Sequence, residues 1–208
     1  MRLVLDWDGT VTETDGLHLV LLEFGDDAIF DAAEDRLGRD LTLHEVIALE
    51  FSSVRAPLER VVDWVRENVR IRRGFAELAA AYDPLIVSSG FHELICPVLE
   101  RERIDLEVRA NRLDARRDGW RAIFRDDEPC TVCGEACKRS DVDGIGEFAY
   151  AGDGFSDRCV AQAAARVFAR DGLATYLERK GVRFEPFDDF YDLAEALAGG
   201  ADVPPTRS

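Results

Sequence analysis

The feature that most constrains the fold is the regular alternation of short apolar runs with helical patterns. Five apolar runs predict strands, at residues 2–6, 84–88, 106–111, 148–152 and 166–169, and helical stretches lie between them. Strands that alternate with helices are typical of a parallel sheet with helices on both faces. We therefore predict an α/β fold built on a doubly wound, Rossmann-like parallel sheet.

One interval is much longer than a strand-to-strand crossover requires. The first strand ends near residue 6 and the next begins near residue 84, whereas a crossover unit needs about 30 residues in all. The excess has helical patterns: two helices around Gly25, a third with a capping box at Thr42 and Glu45, and a fourth with Pro57 in its first turn. An insertion at the carboxyl end of a strand lies over the edge where open α/β sheets bind ligands.

These patterns predict a small helical cap at residues 14–69, inserted after the first strand. Residues 1–13 and 70–200 are then expected to form the core domain. A turn at residues 117–119 predicts a β-hairpin. Residues 201–208 are small and proline-rich, which predicts a disordered tail.

The charge of the chain excludes several classes of partner. The formal net charge is −16, which repels nucleic acid and anionic membranes. The N-terminal sequence has neither a signal peptide nor a membrane span, so we expect a cytoplasmic protein without a membrane or nucleic-acid partner. The sequence does not indicate an oligomeric state.

Polar residues gather where the predicted strands end. Because the carboxyl ends of parallel strands meet at one edge of a sheet, we expect these residues to converge. They are Asp6, Asp8, Ser88, Ser89, Gly90, Asp153 and Asp157, and Lys138, in the loop before the strand at residues 148–152, is expected to join them.

The chemistry of this set points to a phosphate and a cation. Facing carboxylates repel one another unless a divalent cation binds between them, and oxygen ligands suit Mg²⁺, which often shares its shell with a phosphate. Ser88 and Lys138 are donors for phosphate oxygens, and the small Gly90 allows close approach of an anion. An aspartate can then attack phosphorus.

The motifs DWDGT, VSSG, a downstream lysine and GDGFSD, in that order, resemble the four motifs of the haloacid dehalogenase-like superfamily. The helical insertion resembles the small cap of the branch that contains phosphoserine phosphatase. This resemblance implies a phosphoric monoester hydrolase that uses Mg²⁺ and acts on a small phosphorylated metabolite.

Shorter stretches narrow the resemblance. FHELICPVLER, CTVCGEACKR, ARDGLATYLERKG and FDDFYDL are similar to the bacterial methylthiopentenyl-phosphate phosphatases of methionine salvage. The expected substrate is then 2-hydroxy-3-keto-5-methylthiopentenyl-1-phosphate. The cysteine-rich segment before the lysine also resembles phosphoethanolamine/phosphocholine phosphatases, so these and phosphoserine phosphatase are alternatives.

The superfamily resemblance implies catalytic and metal-binding roles residue by residue. Asp6 would be the nucleophile and a Mg²⁺ ligand. Asp8 would be the acid and base, and its backbone carbonyl would bind the metal. Lys138 would bridge Asp6 and the phosphate, and Asp153 would complete the metal site. Asp157 would hold Lys138 or a metal-bound water.

The same resemblance implies the substrate-binding residues. Ser88 would bind phosphate, and Ser89 is its possible substitute. Asp15 lies where this branch often carries an acidic residue near the substrate, although it could equally cap the following helix. Trp7, between the two aspartates, is expected to point into the core. The arginines in or beside the cap are expected to be solvated: Arg39, Arg55, Arg72 and Arg73.

Two non-enzymatic alternatives remain at this point. One is a phospho-accepting, receiver-like module, although its acceptor would follow a later strand. The other is a zinc-dependent interaction protein built on Cys130, Cys133 and Cys137. A structural zinc site needs four ligands, so without a clear fourth partner we expect these cysteines to pack as small apolar residues.

Overall fold

The computed structural model of the chain describes residues 1–199 and contains one seven-stranded sheet. The strand order is β4-β3-β2-β1-β5-β6-β7, and every neighbouring pair is parallel except β3 and β4. This confirms the predicted α/β fold. The strands are β1 (Arg2–Leu5), β2 (Leu85–Phe91), β3 (Val108–Asp114), β4 (Arg121–Ile123), β5 (Phe148–Gly152), β6 (Arg166–Ala169) and β7 (Glu185–Pro186).

Helices flank the sheet and fill the interval between β1 and β2. The α-helices are α1 (Gly16–Phe24), α2 (Asp27–Glu34), α3 (Leu43–Phe51), α4 (Leu58–Asn68), α5 (Phe75–Tyr82), α6 (His92–Glu102), α7 (Arg158–Ala161), α8 (Asp171–Lys180) and α9 (Phe190–Ala198). Helices α1 to α4 make up the predicted cap. The division into a core domain and a cap domain at residues 13/14 and 69/70 stays a prediction.

Strand β1 lies at the centre of the sheet because its side chains are apolar on both faces. Leu3, Val4 and Leu5 are at most 4% exposed, with β2 and β5 as neighbours. Burying such side chains is worth roughly 2 kcal/mol each. The carboxyl ends of β1 and β5 therefore open side by side at the middle of one sheet edge.

Strand β2 is longer than predicted. The expected strand stops at residue 88, whereas β2 continues to Phe91, so Ser88, Ser89 and Gly90 lie inside it rather than after it. The register with β3 shifts between Val87 and Phe91, which marks an irregularity of the bulge type. Ser88, Ser89 and Gly90 all line the cavity described below.

The cap helices begin where the sequence indicates, with one difference. The Thr42 hydroxyl accepts from the Glu45 amide at 3.3 Å, and the Glu45 carboxylate accepts from the Thr42 amide at 2.8 Å. Helices α1 and α2 flank Gly25 as predicted. Pro57 precedes α4 as its N-cap rather than lying in the first turn, since the helix begins at Leu58.

The predicted hairpin is β3–β4, and it holds the cap to the sheet. The Trp120 side chain is 1% exposed, and its indole N–H donates to the Ala56 carbonyl at 3.0 Å. Its backbone amide donates to the Val54 carbonyl at 3.1 Å. These bonds fix the loop before α4, and thereby the cap, against the core.

Two further expectations concern the C-terminal tail and membrane-spanning helices. The predicted disordered tail at residues 201–208 lies outside the described residues. Among residues 1–199, the helices all fall short of the length and apolarity that crossing a membrane requires.

Candidate active site

The turn after β1 brings the first aspartate pair to the sheet edge. Asp6 is 3% exposed, and the Trp7 ring points into the core, as predicted, with an edge contact to Phe75. Gly9 has a φ of +75°, and a Cβ atom there would lie 2.3 Å from the Asp153 carboxylate. Only glycine allows the turn to pass so close to the aspartate that follows β5.

Lys138 joins the segments after β1 and β5. Its ammonium group donates to Asp6 and to Asp157, the latter at 2.7 Å, and it is 1% exposed. Burial alone would lower the pKa of Lys138, but the attraction of Asp157 and Asp6 outweighs burial and raises the pKa above its usual value. The lysine is therefore charged and neutralises one of the carboxylates around it.

Asp157 is fully buried and both of its oxygens accept hydrogen bonds. One oxygen accepts from Lys138 and from the Tyr150 hydroxyl at 2.6 Å, and the other accepts from the amides of Asp153 and Gly154 at 2.9 Å. These contacts favour the role of holding Lys138 over that of a metal-binding residue. The metal role of Asp157 stays a prediction.

The carboxylates carry more negative charge than Lys138 balances. Oxygens of Asp6, Asp153 and Asp157 lie within 4.8 Å of one another. Burial, with repulsion from Asp157, raises the pKa of Asp6 to about 6, against the opposing pull of Lys138. Burial and repulsion from Asp6 and Asp157 raise the pKa of Asp153 to about 9. A divalent cation would remove this repulsion, so the donor set fits a hard cation such as Mg²⁺.

Asp8 lies on the cap side of this cluster. One carboxylate oxygen accepts from the Gly16 amide at 3.1 Å, and the other lies 3.4 Å from the Ser88 hydroxyl, which donates to it. Burial raises the pKa of Asp8 well above its usual value, and the charges of Asp15 and Asp6 raise it further. The raised pKa favours the protonated form of Asp8, which can deliver a proton to a substrate.

The polar residues of β2 face Asp8. The Ser88 hydroxyl is fully buried and accepts from the Gly90 amide at 2.8 Å. A Cβ atom on Gly90 would lie 2.9 Å from the Asp8 carboxylate, so a larger residue would displace it. Ser89 is half-buried and lines the cavity described next. Phosphate binding by these residues stays a prediction.

A cavity of about 260 Å³ lies between the carboxylates and the cap. Its floor contains Asp6, Asp8 and Asp153, and its cap side is largely apolar. Asp15 lines it, and the Asp15 carboxylate also accepts from the His18 amide at 2.9 Å and caps α1. Asp15 thus caps the helix and also lies at the cavity, as the two expectations required. Its contact with a substrate stays a prediction.

The expectation that Arg72 is solvated is wrong. Its side chain is buried, and its guanidinium donates to the backbone carbonyls of Gly9 and Thr10 at 2.8 Å and of Thr12 at 3.0 Å. The turn after β1 exposes these carbonyls inward, so a buried multiple donor is needed there. The other three arginines expected to be solvated are exposed: Arg39, Arg55 and Arg73.

No role was assigned to Arg125 or to Thr10 from the sequence, and both contact residues of the site. Arg125 donates to the Ser88 carbonyl at 2.9 Å and is paired with Asp141, so it supports β2 at Ser88. The Thr10 hydroxyl lies 3.1 Å from Asp153 and 3.3 Å from Asp6 and bridges the two carboxylates. Only Thr10 had a signal in the sequence, since it belongs to the DWDGT motif.

Comparison with known proteins identifies relatives over nearly the whole chain. Methylthiopentenyl phosphatases match at the sequence level: "2-hydroxy-3-keto-5-methylthiopentenyl-1-phosphate phosphatase" of Geobacillus kaustophilus is 29% identical, covering 94% of this chain and 94% of the relative. The protein of the same name from Exiguobacterium sibiricum is 28% identical, covering 95% and 96%.

Solved structures of phosphoserine phosphatases share the fold. A phospho-aspartyl intermediate analogue of phosphoserine phosphatase superposes with a TM-score of 0.68 at 18% identity, covering 94% of this chain and 98% of the other. A substrate-bound phosphoserine phosphatase complex gives 0.70 at 16% identity, covering 94% and 97%.

A family model extends over most of the site. The model of the haloacid dehalogenase-like hydrolases matches residues 3–162, which include every residue of the carboxylate and lysine cluster. An aspartate pair after the first strand under a helical cap does not fit a receiver-like module, whose acceptor would follow a later strand. The chain belongs to the haloacid dehalogenase-like hydrolase family and is a phosphatase.

Proposed function

We propose that the protein is a Mg²⁺-dependent phosphomonoesterase that forms a phosphoryl-enzyme on Asp6, with 2-hydroxy-3-keto-5-methylthiopentenyl-1-phosphate as its substrate. The convergence of Asp6, Asp8, Lys138 and Asp153 at one sheet edge supports the reaction class. A buried carboxylate beside a charged lysine is suited to attack phosphorus, because the lysine also attracts the phosphate.

In this proposal the aspartates carry out both the chemical steps and the metal binding. Asp6 attacks phosphorus, and Asp8 donates its proton to the leaving oxygen and then accepts one from the water that hydrolyses the acyl phosphate. The side chains of Asp6 and Asp153 and the carbonyl of Asp8 would hold Mg²⁺. When bound, the cation would offset the negative charge of the phosphate and the carboxylates.

The remaining polar residues bind and orient the phosphate. The Ser88 hydroxyl donates to a phosphate oxygen, and Lys138 adds a positive charge while Asp157 fixes its position. Gly90 leaves room for the phosphate beside Asp8. The cap covers the cavity, which limits the access of bulk water to the transferred group.

The lining of the cavity is the observation that favours this substrate. Its cap side contains Leu17, Leu21, Phe30 and Ile47, which suit an apolar methylthio group. Among residues 1–199, the lining includes no arginine or lysine side chain. Phosphoserine would bring its carboxylate beside Asp15, Glu34 and Glu50, and His18 is the one basic side chain of that lining among the described residues, which makes its burial unfavourable.

A second candidate substrate class is phosphoethanolamine or phosphocholine. Three acidic residues line the cavity on the cap side: Asp15, Glu34 and Glu50. An ammonium group in this position would be attracted by negative charge there, and it would favour the ionised form of Glu50, whose pKa is raised in the free protein. The apolar side chains around them favour the methylthio substrate instead.

The test is phosphate release from a panel of small phosphoesters by the purified protein, with Asp6→Asn as the control for contaminating phosphatases. We expect the methylthiopentenyl phosphate to have a kcat/KM at least about tenfold above that of phosphoserine and phosphoethanolamine, since burial of an apolar group is worth 1–3 kcal/mol. We expect no turnover after chelation and recovery with Mg²⁺.

Preference for phosphoethanolamine or phosphoserine would refute the substrate assignment but leave the reaction class intact. Full activity in the chelated protein, or in Asp6→Asn, would refute the mechanism.

A further inference from the structure

Four of the five cysteines meet beside the segment that carries Lys138. Cys130, Cys133 and Cys137 come from the loop after β4, and Cys159 comes from α7. Their sulfur atoms all lie within 4.8 Å of one another, and those of Cys130 and Cys159 are 3.9 Å apart. The expectation of packing rested on a missing fourth partner, and Cys159 supplies that partner.

Packing alone does not account for these cysteines. Cys133 is exposed, and Cys130 and Cys137 are only half-buried. The buried hydrophobic core formed by residues 1–199 includes Cys159 but none of the three loop cysteines. Small apolar residues placed for packing would be expected inside that core.

We propose that Cys130, Cys133, Cys137 and Cys159 bind one zinc ion in a closed, tetrahedral four-thiolate site. Zinc–sulfur bonds are about 2.3 Å long, so a tetrahedron of sulfurs around zinc has edges of about 3.8 Å. The observed separations of 3.9 Å to at most 4.8 Å need inward movements of under about 1 Å. Four sulfur ligands leave no coordination position for a substrate, so the site is structural.

The loop is already bent to present its sulfurs. The Val132 amide lies 3.4 Å from the Cys130 sulfur and donates to it, and the Gly134 amide donates to the Cys130 carbonyl at 2.8 Å. Gly134 has a φ of +82°, which closes the turn directly after Cys133. Amide donors that point at sulfur stabilise a thiolate ligand.

The surroundings also offset the charge of such a site. Zinc with four thiolates carries a net charge of −2. The Arg139 guanidinium lies 3.6 Å from the Cys159 sulfur and also donates to the Cys159 carbonyl at 3.2 Å. A cation in this position lowers the cost of holding the negative cluster at the surface.

The site would tie together the two segments that meet at the carboxylate cluster. Cys137 directly precedes Lys138, and Cys159 follows Asp157 by two residues. Each residue of the Lys138–Asp157 ion pair therefore lies next to a zinc ligand in its own chain segment. The loop from residue 126 to 137 has neither helix nor strand to hold it, so the metal would fix the position of Lys138.

The test is the metal content of the native protein, purified without chelators and measured by elemental analysis. We expect about one zinc per chain, because four-thiolate sites bind zinc tightly. Cys133→Ser should lower the zinc content at least about tenfold. Cys96→Ser is the matched control, since Cys96 lies in α6 outside the cluster, and it should keep its zinc.

A second measurement avoids dependence on the folding of the variants. Titration of the native protein with a mercurial thiol reagent should release zinc in step with the modification of four cysteines. Replacement of zinc by Co²⁺ should give the visible absorption of tetrahedral cobalt thiolate, and excess Mg²⁺ should not suppress it because Mg²⁺ prefers oxygen ligands.

Three results would each overturn the proposal: native protein that holds less than about a tenth of an equivalent of zinc and gives no cobalt spectrum, iron in place of zinc, or unchanged zinc in Cys133→Ser. None of these measurements uses turnover. Failure of the proposed phosphatase reaction would therefore leave the zinc result interpretable.

Discussion

The cavity contains a buried acid whose ionisation should limit the stability of the fold. Glu50 lies in α3 and is 5% exposed, and among the described residues one of its carboxylate oxygens has no hydrogen-bond partner. Burial, with the charges of Glu34 and Asp15, raises the pKa of Glu50 from its usual value near 4.5 to about 8. We expect Glu50→Gln, which keeps the shape and removes the charge, to change how stability depends on pH.

The direction of the pH effect on the free energy of unfolding follows from which state, folded or unfolded, binds the Glu50 proton more tightly. Between pH 4.5 and 8 the folded protein keeps Glu50 protonated, whereas the unfolded chain releases the proton, so rising pH favours unfolding. Each pKa unit corresponds to about 1.4 kcal/mol, which bounds the loss at about 5 kcal/mol. Because Glu50 lines a cavity that admits solvent and shares its surroundings with Glu34, we expect about half of that, roughly 2 kcal/mol.

The measurement is urea unfolding of native protein and Glu50→Gln at pH 5, 6.5 and 8, without substrate and at fixed metal. As pH rises from 5 to 8, the free energy of unfolding of Glu50→Gln should increase by roughly 2 kcal/mol relative to that of the native protein. The other titrating groups are common to both proteins, so their effects cancel in this difference. Glu23→Gln, on the exposed face of α1, is the control and should follow the native profile. Parallel profiles for native protein and Glu50→Gln would refute the reasoning.

Three further predictions concern the carboxylates. Asp6→Asn should lower kcat by about 10³-fold or more in a steady-state assay while the circular dichroism spectrum stays native, because an amide cannot attack phosphorus. Asp8→Asn should slow the burst phase less for nitrophenyl phosphate than for an alkyl phosphate, since a good leaving group needs no proton; equal damage would exclude Asp8 as the acid. Ca²⁺ added to the Mg²⁺ enzyme should inhibit phosphate release, because Ca²⁺ accepts looser, bidentate carboxylate ligation of Asp6; unchanged rates would contradict this.

The sequence was informative where one local rule decides the structure. The apolar run of β1 and the capping box at Thr42 place a strand and a helix start through contacts within a few residues. The carboxyl ends of parallel strands converge by topology, so the meeting of Asp6, Asp153 and Asp157 followed from the strand assignment. Lys138 lies in the loop before β5, and its place beside Asp6 rested on the motif resemblance instead.

The sequence was uninformative where a contact joins distant segments without a periodic signal. Arg72 and the solvated Arg73 are adjacent and chemically identical, and only the turn that faces Arg72 distinguishes them. Cys159 joins the other cysteines because α7 packs beside their loop, a proximity that spacing alone cannot indicate. The extension of β2 past Ser88 to Phe91 coincides with a register shift against β3, which no local pattern in the sequence indicates.

Arg72 gives the sharpest test of this long-range support, because its neighbour provides the control. Arg72→Met removes the donors to the carbonyls of Gly9, Thr10 and Thr12 and leaves these acceptors buried, which should cost about 3 kcal/mol. The turn that carries Asp8 then shifts, and a misplacement of about 1 Å lowers kcat roughly 10²-fold.

Thermal unfolding and steady-state kinetics would check both effects. KM should change less than kcat, because Arg72 does not reach the cavity lining and acts only through the position of the aspartates. Arg73→Met removes an equal charge from a side chain that is 78% exposed, so it should leave Tm and kcat near their native values. If Arg72→Met matched Arg73→Met in both measurements, the guanidinium would not be what holds the turn.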